Sequence, residues 1–237
     1  MVTDFRKLNE VTVGNSYPLP LMVNIIDTVA NAKYITAIDL RSGFYQIPMD
    51  PADARKMAFE GPCGYYGYVR IGMGLTSAPA TFQGLIDLVL KGLQGSDMYV
   101  YLDDIIILAD TLEEHCRKFR KLTKRLAKAN PTLKPAKCQF LQRKAKVLGH
   151  IVGNGNIFPD PSNIEGIKKF PVPTTVKKMK QFLGMAGYYR HFVEKFAKIA
   201  HPLMTITRQN PAKGRSVLGN EQQEDPRKSE ISFAQSR

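Results

Sequence analysis

The 237-residue chain carries 34 lysines and arginines against 21 aspartates and glutamates, a formal charge of +13, with 43% hydrophobic residues. Length and hydrophobic content suit one large domain or two small ones and argue against a disordered chain, while the cationic excess predicts a polyanionic partner, nucleic acid or an anionic membrane. Three cysteines without a CxxC pair and four histidines without ligand spacing argue against a disulfide framework or a zinc site, and no apolar run reaches the roughly 18 residues of a membrane span.

Taken in chain order, "NSYPLP" (15–20) reads as an extended, proline-punctuated entry, and "LMVNIIDTVANA" after it as a short helix. "KYITAIDL" (33–40) is a strand ending in an acid, Asp39. A glycine turn and a short extended piece follow, then a helical "PADARK" and a strand of alternating aromatics and glycines, "GYYGYVRI" (64–71). "SAPATFQGLIDLVLKGL" (77–93) sets Phe82, Ile86, Val89 and Leu93 at helical spacing. Two β segments, 98–101 and 105–109, are joined by a hairpin turning at Leu102–Asp103. The clearest helix is 111–130, capped by Thr111, with Glu113 and Glu114 in its first turn and an apolar face of Leu112, Cys116, Phe119, Leu122 and Leu126. "KVLGHIV" (146–152) reads as one strand and "GNGNI" as a turn. A second strong helix opens at Thr174 or Thr175 and buries Val176, Met179, Phe182, Leu183 and Ala186. Beyond Pro211 the polar sequence, interrupted by Gly, Pro and Ser, predicts a disordered tail.

The chemistry centres on "YVYLDDIIILAD" (99–110), where Asp103 and Asp104 interrupt an apolar, β-branched run. Carboxylates among apolar neighbours require a compensating charge. No Lys or Arg lies between residues 92 and 116 to supply it. A hard divalent cation would, since Mg²⁺ takes one or two carboxylates plus substrate phosphates, and Asp39 is the natural third ligand. Three such acids suggest two-metal phosphoryl transfer. Residues 117–146 add twelve Lys or Arg and no acid, a one-signed block that predicts a phosphate-contacting surface.

Ordered blocks then give a resemblance. "DFRKLNEVTV" (4–13), "SYPLP" (16–20), "AIDLRSGFYQI" (37–47), "RKMAF" (55–59), "GLTSAPATFQ" (74–83), "YLDDIII" (101–107), "TLEEH" (111–115), "KCQF" (137–140), "LGHIV" (148–152) and "FLGMAGYYRHFV" (182–193) resemble the reverse transcriptases of gypsy-type LTR retrotransposons. The resemblance implies an α/β (α+β) right-hand polymerase fold. Residues 1–14 would be a residual fingers segment, 15–46 the first part of the palm, 47–77 partial fingers, 78–158 palm with the YxDD hairpin, 159–210 the helical thumb and start of the connection, and 211–237 the tail.

It also implies site residues. Asp39, Asp103 and Asp104 match the catalytic, metal-binding acids, with two Mg²⁺ (or Mn²⁺) as cofactors. Arg6, Phe44, Gln83 and Lys137 match positions at the dNTP: a fingers arginine, an aromatic gate against a 2′-hydroxyl, a glutamine on the helix facing the template-primer, and a loop lysine that protonates pyrophosphate. Tyr101, Lys121, Lys124, Gly149, His150, Lys177 and Lys178 fall on expected nucleic-acid contacts. The implied partners are dNTPs and an RNA or DNA template with its primer duplex. No membrane is implied, and a dimer or polyprotein context is. The expected setting is intracellular, in cytoplasmic virus-like particles or the nucleus.

Relative to the family pattern, several dozen residues before "DFRKLN" are missing, "MPFGLTNAP" is replaced by "IGMGLTSAP" (71–79), and the tryptophan-bearing connection and RNase H sequences have no counterpart. These departures imply a piece truncated at both ends. They also define the alternative to an RNA-directed DNA polymerase, a catalytically inactive nucleic-acid-binding remnant.

Overall fold

The computed structural model describes residues 3–95 and 97–209. It divides into two compact units, one of Met1–Leu148 with Val152–Gly155, the other of Gly149–Ile151 with Asn156–Arg237. The expected tail, 211–237, lies outside the described residues.

In chain order the first unit contains α1 (Arg6–Val11), α2 (Met22–Ala30), β1 (Tyr34–Asp39), α3 (Pro51–Ala54), β2 (Phe59–Gly61), β3 (Gly64–Tyr66), α4 (Ala78–Val89), β4 (Met98–Tyr101), β5 (Asp104–Ala109), α5 (Leu112–Ala129), β6 (Gln139–Gln142) and β7 (Ala145–Val147). The chain passes between the units within β8 (His150–Gly153). The second unit continues with β9 (Asn156–Pro159), α6 (Pro161–Lys168), α7 (Val176–Tyr188) and α8 (Phe196–Gln209).

The centre of the first unit is a four-stranded sheet in the order β4-β5-β1-β6. Strands β4, β5 and β1 form antiparallel ladders in which Met98 pairs with Ile107, Ile38 with Ile105, and Asp39 with Asp104. Successive residues of a strand point to opposite faces, and paired residues share one. Ile38, Ile105, Ile107, Met98 and Val100 therefore line one face, where they form a single core with Phe82 and Ile86 of α4 and Leu122 and Leu126 of α5. Thr36, on that same face, is hydrogen-bonded to His115 of α5 at 2.8 Å. Asp39, Asp104, Tyr101, Ala37 and Ile106 belong to the other face. Both amphipathic helices thus cover the side of the sheet that the acids do not occupy. Each large aliphatic buried there contributes about 1.5–3 kcal/mol of transfer free energy.

Helix α5 begins as its sequence predicts, with Thr111 Oγ1 accepting the Glu114 N–H at 3.1 Å. Its buried face is different from the expected one. His115, Lys118, Leu122 and Leu126 are buried, whereas Leu112 and Cys116 are exposed. Tertiary bonds rotate the first turns: His115 reaches Thr36, and the Lys118 ammonium donates to the Leu108 carbonyl at 2.7 Å while pairing with Glu114 at 2.8 Å. Polar groups with buried partners have displaced two apolar ones.

Two strand expectations are also corrected. The segment 146–152 is β7 and β8 separated by Leu148 (φ 46°) and Gly149 (φ 74°), and two successive left-handed residues cannot continue a strand. The strand expected over 64–71 is confined to β3 because its second half pairs elsewhere, with Met49 N–H on the Val69 carbonyl and Ile71 N–H on that of Ile47, both at 3.0 Å.

The second unit has its own core, in which Ile164, Ile167, Phe182 and Tyr189 pack with Phe170, Phe192 and Leu203. In α7 the expected Met179, Phe182 and Ala186 are buried, Val176 and Leu183 half-buried. No helix of the described residues is long and apolar enough to cross a membrane.

Candidate active site

The hairpin between β4 and β5 turns through Leu102, held at φ 51°. Left-handed backbone is costly for a leucine, and two hydrogen bonds hold this turn in place. Behind it, Gln83 of α4 is fully buried and its Oε1 accepts the Leu102 N–H at 2.8 Å. From β1, the Leu40 N–H donates to the Asp103 carbonyl at 2.9 Å. The turn is thereby fastened to the strand that carries Asp39.

Asp39 closes β1, Asp104 opens β5, and the two are direct antiparallel partners. Partners in such a ladder have Cα atoms about 4.5–5.5 Å apart and side chains on one face. Asp103 sits beside them in the turn. Its Oδ1 is buried without a hydrogen-bond partner. Burial raises the Asp103 carboxyl above the ordinary carboxylate range, with the nearby Gly43 amide and Lys137 holding it back. Asp104 is pushed up to about 6, first by burial and then by the charges of Asp39 and Asp103. The site is an excess of negative charge at the end of an apolar sheet.

One counter-charge comes from far along the chain. Lys137, in a 3-10 turn before β6, places its ammonium 3.3 Å from Asp39 Oδ2. β6 pairs with β1, and the Lys134 N–H donates to the Asp39 carbonyl at 3.0 Å, so this loop is tied to the acid's own backbone. The local sequence, 92–116, offers the acids no Lys or Arg, and this cation comes from outside it.

Gly43 lies against the same carboxylate. A Cβ there would fall 2.2 Å from Asp103 Oδ1 and 2.6 Å from the Phe82 ring. Phe44, next in the chain, is half-buried and stands edge-on to Phe82 with centroids 5.8 Å apart. Tyr101 pairs with Asp104 across the hairpin and so shares the acids' face.

The remaining sequence-derived residues are placed as follows. Gln83, expected to face the template-primer, instead spends its oxygen on Leu102 and its nitrogen on Asp87 Oδ1, at 2.8 Å. Asp87 also accepts from Gln94, at 2.8 Å, and from the Tyr17 hydroxyl, at 2.6 Å. Arg6 is exposed on α1 and engages both carboxylate oxygens of Asp4. Lys121 is paired with Asp97 at 2.6 Å, and Lys124 is exposed; both stand on the outer surface of α5, behind the sheet. The block 117–146 is therefore not one surface: its helical cations lie on the reverse side from the acids, and Lys137 lies at them. In the second unit, His150 is buried among Tyr188, Tyr189 and Phe192, and the Gly149 carbonyl accepts the Tyr189 hydroxyl at 2.8 Å, so these two serve local packing rather than an open grip. Lys177 and Lys178 are exposed on α7.

Tyr17, Gly43, Asp87 and Gln94 were not singled out by the sequence. The one available signal was Gln83 itself, an amide beside Phe82 on an apolar helix face.

Residues 1–152 match the family model for reverse transcriptase (RNA-dependent DNA polymerase). The chain belongs to the reverse transcriptase family. It is similar to the retrovirus-related Pol polyproteins of the Drosophila melanogaster transposons 297 (43% identical, over 86% of this chain and 19% of the relative), opus (42%, over 88% and 21%) and gypsy (37%, over 87% and 20%). The chain thus spans about a fifth of the length of these relatives. Among solved structures, it is similar to foamy viral protease-reverse transcriptases in complex with double-stranded DNA (TM-score 0.78, 25% identity, 91% of this chain and 38% of that one) and with an RNA/DNA hybrid (TM-score 0.77, 25% identity, 92% and 29%). The fold of this reverse transcriptase chain is accordingly that of an α/β polymerase.

Proposed function

We propose that this chain is an RNA-directed DNA polymerase domain that adds deoxynucleotides to a primer 3′-hydroxyl. The observation that carries the reading is the direct pairing of Asp39 with Asp104 beside the orphaned carboxylate oxygen of Asp103. Among the described residues no three His, Cys, Asp or Glu side chains stand together as a ready-made metal site. An open set of hard oxygen donors, one buried without a partner, nevertheless fits Mg²⁺ or Mn²⁺, which complete their shells with water and substrate phosphate. When bound, two such ions would activate the primer hydroxyl and neutralise the charge that develops on the phosphates.

Asp39 and Asp104 would present oxygens to the ions from paired positions on one face of the sheet. Asp103 would do so from the turn, which Gln83 and Leu40 hold still. Lys137 would release Asp39 to a bound cation and would neutralise or protonate the leaving pyrophosphate. Phe44, backed by Phe82, would stand under the incoming sugar and exclude a 2′-hydroxyl. Arg6 would reach the triphosphate from the fingers after releasing Asp4. The palm would comprise 15–46 and 78–158, the fingers 1–14 and 47–77, and the thumb 159–210, where Lys177 and Lys178 follow the duplex backbone. The relatives support a polyprotein context.

The test is primer extension on an RNA template with Mg²⁺, comparing wild type with Asp103→Asn. Incorporation by wild type alone supports the reading, and equal incorporation by both ends it. Primer-template binding without incorporation by either protein favours the binding-only alternative.

A further inference from the structure

The outer surface of α5 is a cationic stripe, and the chemistry proposed at the acids does not use it. Arg117, Arg120, Lys121, Lys124, Arg125 and Lys128 are all exposed. At 3.6 residues per turn they fall within a band of about 140°. His115, Lys118, Leu122 and Leu126, the buried residues, occupy the opposite side of the helix and join it to the sheet. Among the described residues, Lys121 alone of the six is held by an ion pair, to Asp97. Glu113 and Glu114, in the first turn, fall in the same band, and of the two Glu114 is spent on Lys118.

Sheet alternation then decides what this stripe can reach. The face bearing Ile105 and Ile107 packs against α5, and the face bearing Asp39 and Asp104 points the other way. A nucleic acid at the carboxylates lies on one side of the sheet, and the stripe lies on the other. We infer that the outer face of α5 is a second nucleic-acid surface, which holds a strand separate from the one at the acids.

Charge geometry selects that occupant. From Arg117 to Lys128 the stripe runs about 17 Å at 1.5 Å per residue, enough to follow roughly three phosphates of an extended single strand. Successive cations at i, i+3 and i+4 stand about 5–6 Å apart in a line. A membrane-surface helix would flank its cations with an apolar face directed at the lipid. In α5 that face is spent on the sheet. A single strand of RNA or DNA, which needs only a linear row of cations, fits what is left.

The experiment measures anisotropy of a labelled 20-nucleotide single-stranded RNA with the full chain across a salt series, in wild type and in the triple variant Arg117→Gln, Arg120→Gln, Lys128→Gln. Loss of three phosphate contacts should weaken binding at least tenfold in low salt and reduce the slope of log K against log salt by about 2. Glu113→Lys, which extends the stripe, should steepen the slope by about 0.7, a gain that misfolding cannot mimic. With unlabelled primer-template already saturating, wild type should still bind the labelled RNA and the triple variant should not, while the triple variant retains primer extension. Binding by Asp103→Asn should equal that of wild type, so the surface is tested apart from the catalytic reading. Unchanged affinity and slope in both charge variants would overturn the inference. So would loss of primer extension together with RNA binding in the triple variant, or a preference for anionic vesicles over RNA.

Discussion

The Lys137 ammonium lies 3.3 Å from Asp39 Oδ2 although 98 positions separate the two residues. Asp39 is mostly buried and Lys137 more than half exposed, so the cation can swing away while the acid stays. That asymmetry suits a group that guards the carboxylates before metal and substrate arrive and then turns to a phosphate.

Lys137 should therefore act through charge and through its proton, and two substitutions separate these. Lys137→Ala removes a cation that holds both Asp103 and Asp104 down, so their titration midpoints should rise. Primer extension should fall by about two orders of magnitude, the lower end of the roughly 10²–10⁴ that loss of a general acid costs. Lys137→Arg keeps the charge and cannot donate a proton at neutral pH. Recovery by arginine in pH-rate profiles would identify charge neutralisation as the role.

Gln83→Leu should loosen the catalytic hairpin from behind. The substitution strands the half-buried Leu102 N–H and removes one donor from Asp87. An unsatisfied buried donor costs about 1–3 kcal/mol, measurable by urea unfolding. Because Gln83 is fully enclosed, kcat should fall with little change in KM for dNTP. A large rise in KM at unchanged kcat would instead place the amide at the nucleotide.

Gly43→Ala tests the space around Asp103. The new methyl would overlap Asp103 Oδ1 and the Phe82 ring, and neither can yield freely: the aspartate sits in a fastened turn and the ring in the core. Overpacking of this kind costs about 1–3 kcal/mol. The expected outcome is a folded protein with a lower Tm and weaker dependence of Tm on Mg²⁺. An unchanged Mg²⁺ response would show that Asp103 needs no such cradle.

Asp104 provides the pH test. Its folded value is raised from 3.8 to about 6. A carboxyl raised in this way lends its stabilisation fully below about 3.8 and loses it as pH rises through about 6. Without metal, the Asp104 contribution should make the protein less stable at pH 7 than at pH 5, by on the order of 1 kcal/mol after allowance for partial exposure. Mg²⁺ should reverse the loss and EDTA restore it. Thermal melts from pH 4 to 8 with wild type and Asp104→Asn would check this, since the asparagine variant should lack the slope. In Asp39→Asn the midpoint should move down, because one of the charges raising it is gone.

The sequence by itself determined the local elements whose periodicity matched their surroundings. The Thr111 cap, the hairpin turning at Leu102–Asp103 and the apolar positions of α4 were legible because neighbouring residues decide them. So was the anomaly of two acids in a β-branched run. Tertiary structure alone decided what depended on a distant partner. His115 and Lys118 took the buried face of α5 because Thr36 and the Leu108 carbonyl awaited them. Gln83 turned inward because the strained Leu102 amide lacked an acceptor. Lys137 reached Asp39 because β6 pairs with β1. Above all, the cations of α5 and the acids of β1 and β5 lie on opposite faces of one sheet. Strand alternation fixes the sides once the register is known, and register is a property of paired strands that no single stretch of sequence contains.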